Sequence, residues 1–185
     1  ALENGTILSW SLENYQDIHV LHSELLDAAT ALTFSPNGSL LVKGFESGKI
    51  FLWDIKDDKL INYLEGHDAR ISELTFSKNG KFMASSSWDG TIRLWKMDQI
   101  NEQPIVMRDQ SAWVQAICFS PDDRYPVAAC MDHTIKIYPI DIEEMAAGIC
   151  EKMNRNLSKA EWKKHVANEI DYELTCPDLP EGINE

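Results

Sequence analysis

The stretch SSSWDGTIRLW, residues 85 to 95, carries serines and an aspartate, and His67 lies eighteen residues before Ser85. Ser, His and Asp are the components of a hydrolase triad, in which the imidazole takes the serine proton and the carboxylate orients the imidazole. That chemistry needs an exposed nucleophile, oxyanion donors beside it and a base free to turn over. The competing role is structural. A carboxylate and an indole N–H buried between strands are costly unless each finds a partner. The elements that hold these residues decide between the two.

Those elements repeat. TFSPNGSLLVKGFESGKIFLWDI from Thr33 aligns with TFSKNGKFMASSSWDGTIRLWKM from Thr75 at an offset of 42 residues, and CFSPDDRYPVAACMDHTIKIYPI from Cys118 follows at 43. ENGTILSW, residues 3 to 10, supplies the end of an earlier copy. Trp10, Trp53, Trp95 and Tyr138 thus share one structural position. Such self-similarity marks a stacked repeat architecture.

Each copy reads as short strands rich in β-branched and aromatic residues, TFSP, KFMASSS and TIRLW being the pattern. Turn pairs separate them: Asn37-Gly38, Asn79-Gly80 and Asp122-Asp123 in one place, and Asn4-Gly5, Ser47-Gly48, Asp89-Gly90 and Asp132-His133 in the other. Weaker fourth strands are predicted near 60 to 66 and 104 to 108. Each period is then one four-stranded antiparallel unit, and with no helix between strands a βαβ fold is excluded. Pro126 falls inside an expected central strand, which predicts a bulge or irregular edge there.

The period, the Gly66-His67 pair, the Asp-Gly turn and the closing Trp53-Asp54 dipeptide resemble the WD-repeat family, whose members build β-propellers. The resemblance spans residues 1 to about 140. It implies an all-β fold: a partial WD-repeat β-propeller of about three and a half four-stranded blades, with repeat units near 1–22, 23–64, 65–107 and 108–140, and a short C-terminal helical tail over 141–185. It also implies a hydrogen-bonded tetrad of a His before the first strand, a Ser or Thr on the second, the Asp of the next turn and the Trp of the third. His67, Asp89 and Trp95 match residue by residue. The serine is Ser87 or Ser85, which share a strand face; the tetrad is written with Ser87. The Ser, His and Asp of the opening stretch therefore read as structure, and no catalysis is expected.

The other copies depart from the pattern. Around Trp53 the Asp position is Ser47 and the His position Glu24 or Leu25; around Tyr138 these become Asp132 and Gln110, with Cys130 for the serine. Propellers have about 4 to 8 blades. Three near-complete units with open edges at both ends lead to the expectation of a C-terminal piece of a longer propeller.

Composition bounds the partners. The formal net charge is −13, with 30 acidic against 17 basic residues. Such a surface repels phosphate backbones and anionic membranes, so neither nucleic acid nor membrane is expected as a partner. No apolar run approaches the roughly 20 residues of a membrane span. The four cysteines, at 118, 130, 150 and 176, form no CxxC, and no His pair has metal spacing. The expectation is reduced thiols in a cytoplasmic protein without metal or cofactor.

From Asp141 the pattern changes. Ile142, Met145, Ile149 and Met153 predict an amphipathic helix near 143 to 154. Ser158 followed by Glu161 is a capping box, with a second helix from about 159 to 167. The apolar stripe of the first helix leads to the expectation that the tail caps the last blade. The string CEKMNRNLSKAEW, followed by TCP, resembles the tail of bacterial multidomain WD-repeat signalling proteins. That resemblance implies an upstream STAND-type NTPase or caspase-like peptidase.

By the family pattern, the residue before each turn Asp points to the propeller rim: Glu3, Glu46, Trp88 and Met131. So does the position just past the Gly-His pair: Arg70 and, by alignment, Trp113. An Arg, two Trp and a Met on one surface suit a protein-binding hot spot; the alternative is that Trp113 packs beneath the next blade and Trp88 covers a loop. The reading is a noncatalytic interaction module, the sensor or scaffold part of a signalling protein, with a protein partner or attached effector domain. Its rival is an accessory propeller of an enzyme whose active site lies upstream.

Overall fold

A computed structural model describes residues 7–10, 18–21, 27–108, 112–141, 150–151, 153–165, 174, 176 and 178–180. The chain divides into two compact units, Ala1–Ile137 and Tyr138–Glu185.

The first unit consists of antiparallel sheets of consecutive strands. β1 (Ile7–Trp10) pairs with β2 (Ile18–Leu21). β3 (Ala29–Phe34), β4 (Leu40–Phe45), β5 (Ile50–Asp54) and β6 (Lys59–Leu64) form a four-stranded sheet in chain order. β7 (Ile71–Phe76), β8 (Phe82–Ser87), β9 (Ile92–Lys96) and β10 (Ile105–Met107) form the next. β11 (Val114–Phe119), β12 (Pro126–Cys130) and β13 (Ile135–Ile137) form a three-stranded sheet. The expected first-copy rim residue Glu3 and the tetrad positions Glu24, Leu25 and Gln110 lie outside the described residues.

Local chemistry repeats with the sequence. The Ser35 hydroxyl donates to Asn37 Oδ1 (2.7 Å), Ser77 to Asn79 (2.9 Å) and Ser120 to Asp122 (2.5 Å), shaping the same turn three times. The residue after each lies in the left-handed region: Gly38, Gly80 and Asp123. A register shift also recurs in the first strand pair of each sheet, at Ala29/Ala31, Ile71/Glu73 and Val114/Ala116. This corrects the expectation of irregularity at Pro126. The proline is the first residue of β12, opposite Phe119, where a missing N–H is tolerated. The bulge belongs to the repeat and not to the proline.

The second strand of each full sheet is buried along its length: Leu41–Phe45 and Met83–Ser87. Val42, Ile50, Leu52, Leu64, Ile71, Leu74, Met83 and Trp95 make one apolar cluster that joins the two four-stranded sheets. Each large apolar side chain buried there contributes about 1.5–3 kcal/mol. Close approach is specified by glycine. A Cβ on Gly44 would lie 2.6 Å from the Ile71 side chain, and one on Gly48, at φ +85°, only 2.4 Å from the His67 carbonyl. The Thr30 hydroxyl donates to the Ile71 carbonyl (2.7 Å), and Ser72 repeats the bond to Val114 (2.6 Å) one sheet on. The last three sheets are thus joined by equivalent bonds at their two junctions.

In the second unit, the expected helix near 143 to 154 falls largely outside the described residues, but from Met153 to Ser158 the chain is not helical. The helix that follows is Lys159–His165. Its capping box is formed: Ser158 N donates to Glu161 Oε2 (2.8 Å), Glu161 N donates to Ser158 Oγ (3.3 Å), and Arg155 grips the same carboxylate with both terminal nitrogens. The expectation of free thiols is corrected here. Cys150 and Cys176 are joined in a disulfide with their Cα atoms 5.5 Å apart. The reason lies in Asn156, whose amide donates to the Cys176 and Leu179 carbonyls and accepts from Cys176 N, each at 2.8 Å, holding Cys176 against the segment six residues after Cys150. Cys118 and Cys130 remain thiols.

Candidate functional site

The loop before β7 brings His67 in front of β8, where it meets the serines and the β8–β9 turn. His67 Nδ1 lies 2.9 Å from Asp89 Oδ2 and Nε2 lies 2.8 Å from Ser85 Oγ. Trp95 Nε1 donates to the same Ser85 Oγ at 2.9 Å. The tetrad is therefore His67, Ser85, Asp89 and Trp95, and the assignment to Ser87 is corrected. The Ser87 hydroxyl instead donates to the Ala69 carbonyl (2.9 Å) and accepts from Asp89 N (3.1 Å). The cause is register. Trp95 stands opposite Met83, so Ser85 is its diagonal neighbour on that face, while Ser87 lies a further two residues along the strand, about 7 Å beyond.

Donors and acceptors match in one arrangement. Trp95 donates to Ser85, Ser85 donates to His67 Nε2, and a neutral imidazole protonated on Nδ1 donates to Asp89. Asp89 also accepts from Asp68 N (3.0 Å), Thr91 N (2.8 Å) and the Thr91 hydroxyl (2.7 Å). Burial pushes the His67 pKa below its ordinary 6.5 despite the bond to Asp89. Burial opposes ionisation of Asp89, but hydrogen bonds from His67, Thr91 and the Asp68 amide outweigh it and hold the carboxyl well below the usual range. Ser85 is fully buried, with the Trp95 indole against its oxygen. A serine so placed has its proton directed at a base, yet the hydroxyl is closed off from solvent.

With Ser85 in the tetrad, the equivalent positions are Lys43 and Ala128. Lys43 is fully buried, with Nζ 4.6 Å from the centre of the Trp53 ring and no hydrogen-bond partner among the described residues. Trp53 Nε1 turns instead to Asp58 (3.1 Å). In the last sheet Asp132 accepts from Thr134 N and its hydroxyl, as Asp89 does from Thr91. These threonines were legible two positions after each turn Asp. Among the described residues, no group of three or more His, Cys, Asp or Glu could hold a metal ion, and no helix is long and apolar enough to cross a membrane.

The expected rim residues form a continuous column. In each of the last three sheets the turn residue donates its N–H to the residue that precedes the first strand: Glu46 to Ala28 (3.0 Å), Trp88 to Arg70 (3.0 Å) and Met131 to Trp113 (2.9 Å). Side chains then bridge the sheets. Arg70 Nη1 donates to Glu46 Oε2 at 2.9 Å. The Arg70 guanidinium lies over the Trp88 ring, 5.0 Å from its centre. The Trp88 and Trp113 rings stack with centres 4.8 Å apart and planes within 4°. Glu46 with Arg70 and Trp88 with Trp113 are the same junction pair in successive repeats, built once from charge and once from aromatic rings. Trp113 is 50% exposed, with Trp88 at 37% and Met131 at 46%.

The family model described as the IFT140 first beta-propeller matches residues 3–169, which runs past the repeats into the tail. Periodic tryptophan protein 2 homolog of Dictyostelium discoideum is 28% identical over 136 residues, 73% of this chain. The chain spans 15% of the length of that relative. With its four-stranded sheets in chain order, its repeated junctions and its matched length, the chain is a partial WD-repeat β-propeller and belongs to the IFT140 first beta-propeller family.

Proposed function

We propose that the chain is a noncatalytic protein-interaction module, the sensor or scaffold part of a larger signalling protein, and that the column from Glu46 to Met131 is its docking surface. The stacked, half-exposed pair Trp88 and Trp113 carries the reading. Large aromatic rings held rigid on a surface lose little entropy on binding and are enriched among residues that dominate interface energies. The closed hydroxyl of Ser85 supports a structural role for the tetrad. The net charge of −13 supports a protein partner over nucleic acid or an anionic membrane. The Cys150–Cys176 bond weighs against the cytoplasmic placement, since disulfides persist mainly in oxidising compartments.

Site-directed photocrosslinking tests the reading. A photoreactive side chain at Trp113 or Met131 should capture a protein partner, and one at Lys78, in the turn at the other end of the strands, should not. Equal capture from both ends sinks the docking surface. Hydrolysis of ester, peptide or nucleotide substrates that disappears on Ser85→Ala with folding retained overturns the noncatalytic reading.

A second reading rests on the tail, whose CEKMNRNLSKAEW and TCP strings resemble those that follow propellers in bacterial multidomain proteins. In it the propeller serves an NTPase or caspase-like peptidase upstream, and the reading frame preceding this chain is the test.

A further inference from the structure

We infer that the Trp113 end of the column takes an arginine side chain from a basic segment of the partner protein, an inference that rests on the docking surface proposed above. The column already contains one such contact. Arg70 lies over Trp88 while its guanidinium is held by the Glu46 carboxylate. Trp88 is thereby engaged by Arg70 and by Trp113, whereas Trp113 is half exposed. Beside it Met131, tied by its backbone N–H to the Trp113 carbonyl and also half exposed, supplies polarisable apolar surface.

Charge selects the occupant. The row of turns and loops that carries the column also carries Asp27, Glu65, Asp68 and Asp132, the Asp89 carboxylate being turned into the tetrad. Of the cations on that row, Arg70 is held by Glu46 and His67 is buried neutral inside the tetrad, which leaves Lys49, Arg108 and His133 against the acids. The chain as a whole carries a formal charge of −13. An acidic peptide is repelled from such a surface and a cationic one is drawn to it. Among cations, the planar guanidinium stacks on an indole while keeping its N–H groups directed outward to carboxylates, which an ammonium does less well.

The test is a titration of the whole chain with three capped heptapeptides of alternating Gly and Arg, Gly and Lys, or Gly and Glu, followed by the Trp113 indole N–H resonance. The Arg peptide should shift that resonance and bind more tightly than the Lys peptide, and the Glu peptide should leave it unmoved. Trp113→Ala should weaken the Arg peptide by about tenfold, with Trp113→Phe intermediate and the melting temperature of each variant recorded alongside. Raised salt should weaken binding further. Equal binding of the Arg and Glu peptides, or an Arg affinity indifferent to Trp113→Ala in a folded variant, overturns the inference. If photocrosslinking from Trp113 succeeds while the Arg peptide fails, the surface serves a different occupant, such as a proline-rich segment or a second copy of this chain, and only the arginine inference falls. If both fail, the docking surface falls with it.

Discussion

Lys43 stands in its sheet where Ser85 stands in the next, 42 residues further on, so one site holds a satisfied hydroxyl and the other a buried amine over the Trp53 ring. Desolvation lowers the Lys43 pKa below its ordinary 10.5, with Asp58 opposing the shift. The unfolded chain therefore binds this proton more readily than the folded one, and the handicap is relieved as pH rises toward 10.5. Lys43→Met, which keeps the volume and removes the amine, should stabilise the protein by about 1 kcal/mol at neutral pH, the lost cation–π contact offsetting part of the gain. The gain should shrink in alkaline buffer. A Met variant that melts below the parent at pH 7 refutes the account.

Ser85→Ala and Ser87→Ala separate the two serines. The first leaves the Trp95 N–H and His67 Nε2 buried without their partner, and should cost about 2–3 kcal/mol. The second removes one bond to the Ala69 carbonyl and one from Asp89 N, and should cost about 1 kcal/mol. Thermal melts of both variants check the order, and the reverse order would falsify the tetrad assignment.

The repeats were legible because each one re-uses the same turn, the same strand lengths and the same aromatic position. His67, Asp89 and Trp95 could be placed by counting along the period. Ser85 could not, because two serines at alternate positions share a face, and the choice depends on which residue of β8 stands opposite Trp95. That register is set by the β8–β9 turn, where Ser87 N donates to the Thr91 carbonyl, and a count along one strand does not contain it. Lys43 was hidden for a different reason: its buried place follows from the same register, while its chemistry suggests a surface. The approach of Cys150 and Cys176 within the tail was legible, but the bond between them was not, because what fixes Cys176 is Asn156, a single side chain that holds the Cys176 N–H and carbonyl.

The tetrad also sets an acid limit. His67 has a folded pKa below its ordinary 6.5, so the unfolded state binds more protons once the pH drops under that value, and stability falls from there downward. Asp89 has a depressed folded pKa, so its contribution is present above the ordinary 3.8 and is lost as the pH falls on toward the folded value. Chemical denaturation from pH 8 to pH 3 should show a decline that begins near 6.5 and steepens below 4. In Asp89→Asn the second part should flatten. A profile level from pH 7 to pH 4 contradicts the buried neutral imidazole.

Asp123 holds two repeats together. Its carboxylate accepts from Lys78 N (2.6 Å) and Asn79 N (2.8 Å) in the neighbouring turn, while its own backbone sits at φ +60°. Asp123→Ala removes both acceptors and places alanine in the left-handed region, so a loss of about 2–3 kcal/mol is expected. Asp123→Asn tolerates that backbone and keeps one acceptor, and should retain at least half of the stability. Asp123→Gly relieves the backbone and loses the bonds, so its position between the other two measures each effect separately. Identical melts for all three variants would leave the junction without a role.

The tail offers the sharpest test of how a short segment is ordered. The Asn156 side chain is buried, and it holds the Cys176 and Leu179 carbonyls and the Cys176 N–H. Asn156→Asp preserves the shape but turns an acceptor oxygen toward two carbonyls, so it should disrupt the tail at least as much as Asn156→Ala; loss of one buried hydrogen bond costs about 1–3 kcal/mol. The Cys150–Cys176 bond restrains the same segment by a different route, through the unfolded chain, and its replacement by two serines should cost the tail about 2–4 kcal/mol. Because Asn156 works only in the folded tail and the disulfide also in the unfolded one, the two effects differ in kind. With the disulfide intact, Asn156→Ala should speed hydrogen exchange at Cys176 N and at Leu179 N, which donates to the Cys176 carbonyl. Cysteine replacement alone should leave those amides slower than in the double variant. Exchange at these positions that ignores Asn156→Ala would mean that the disulfide, and not the asparagine, orders the segment.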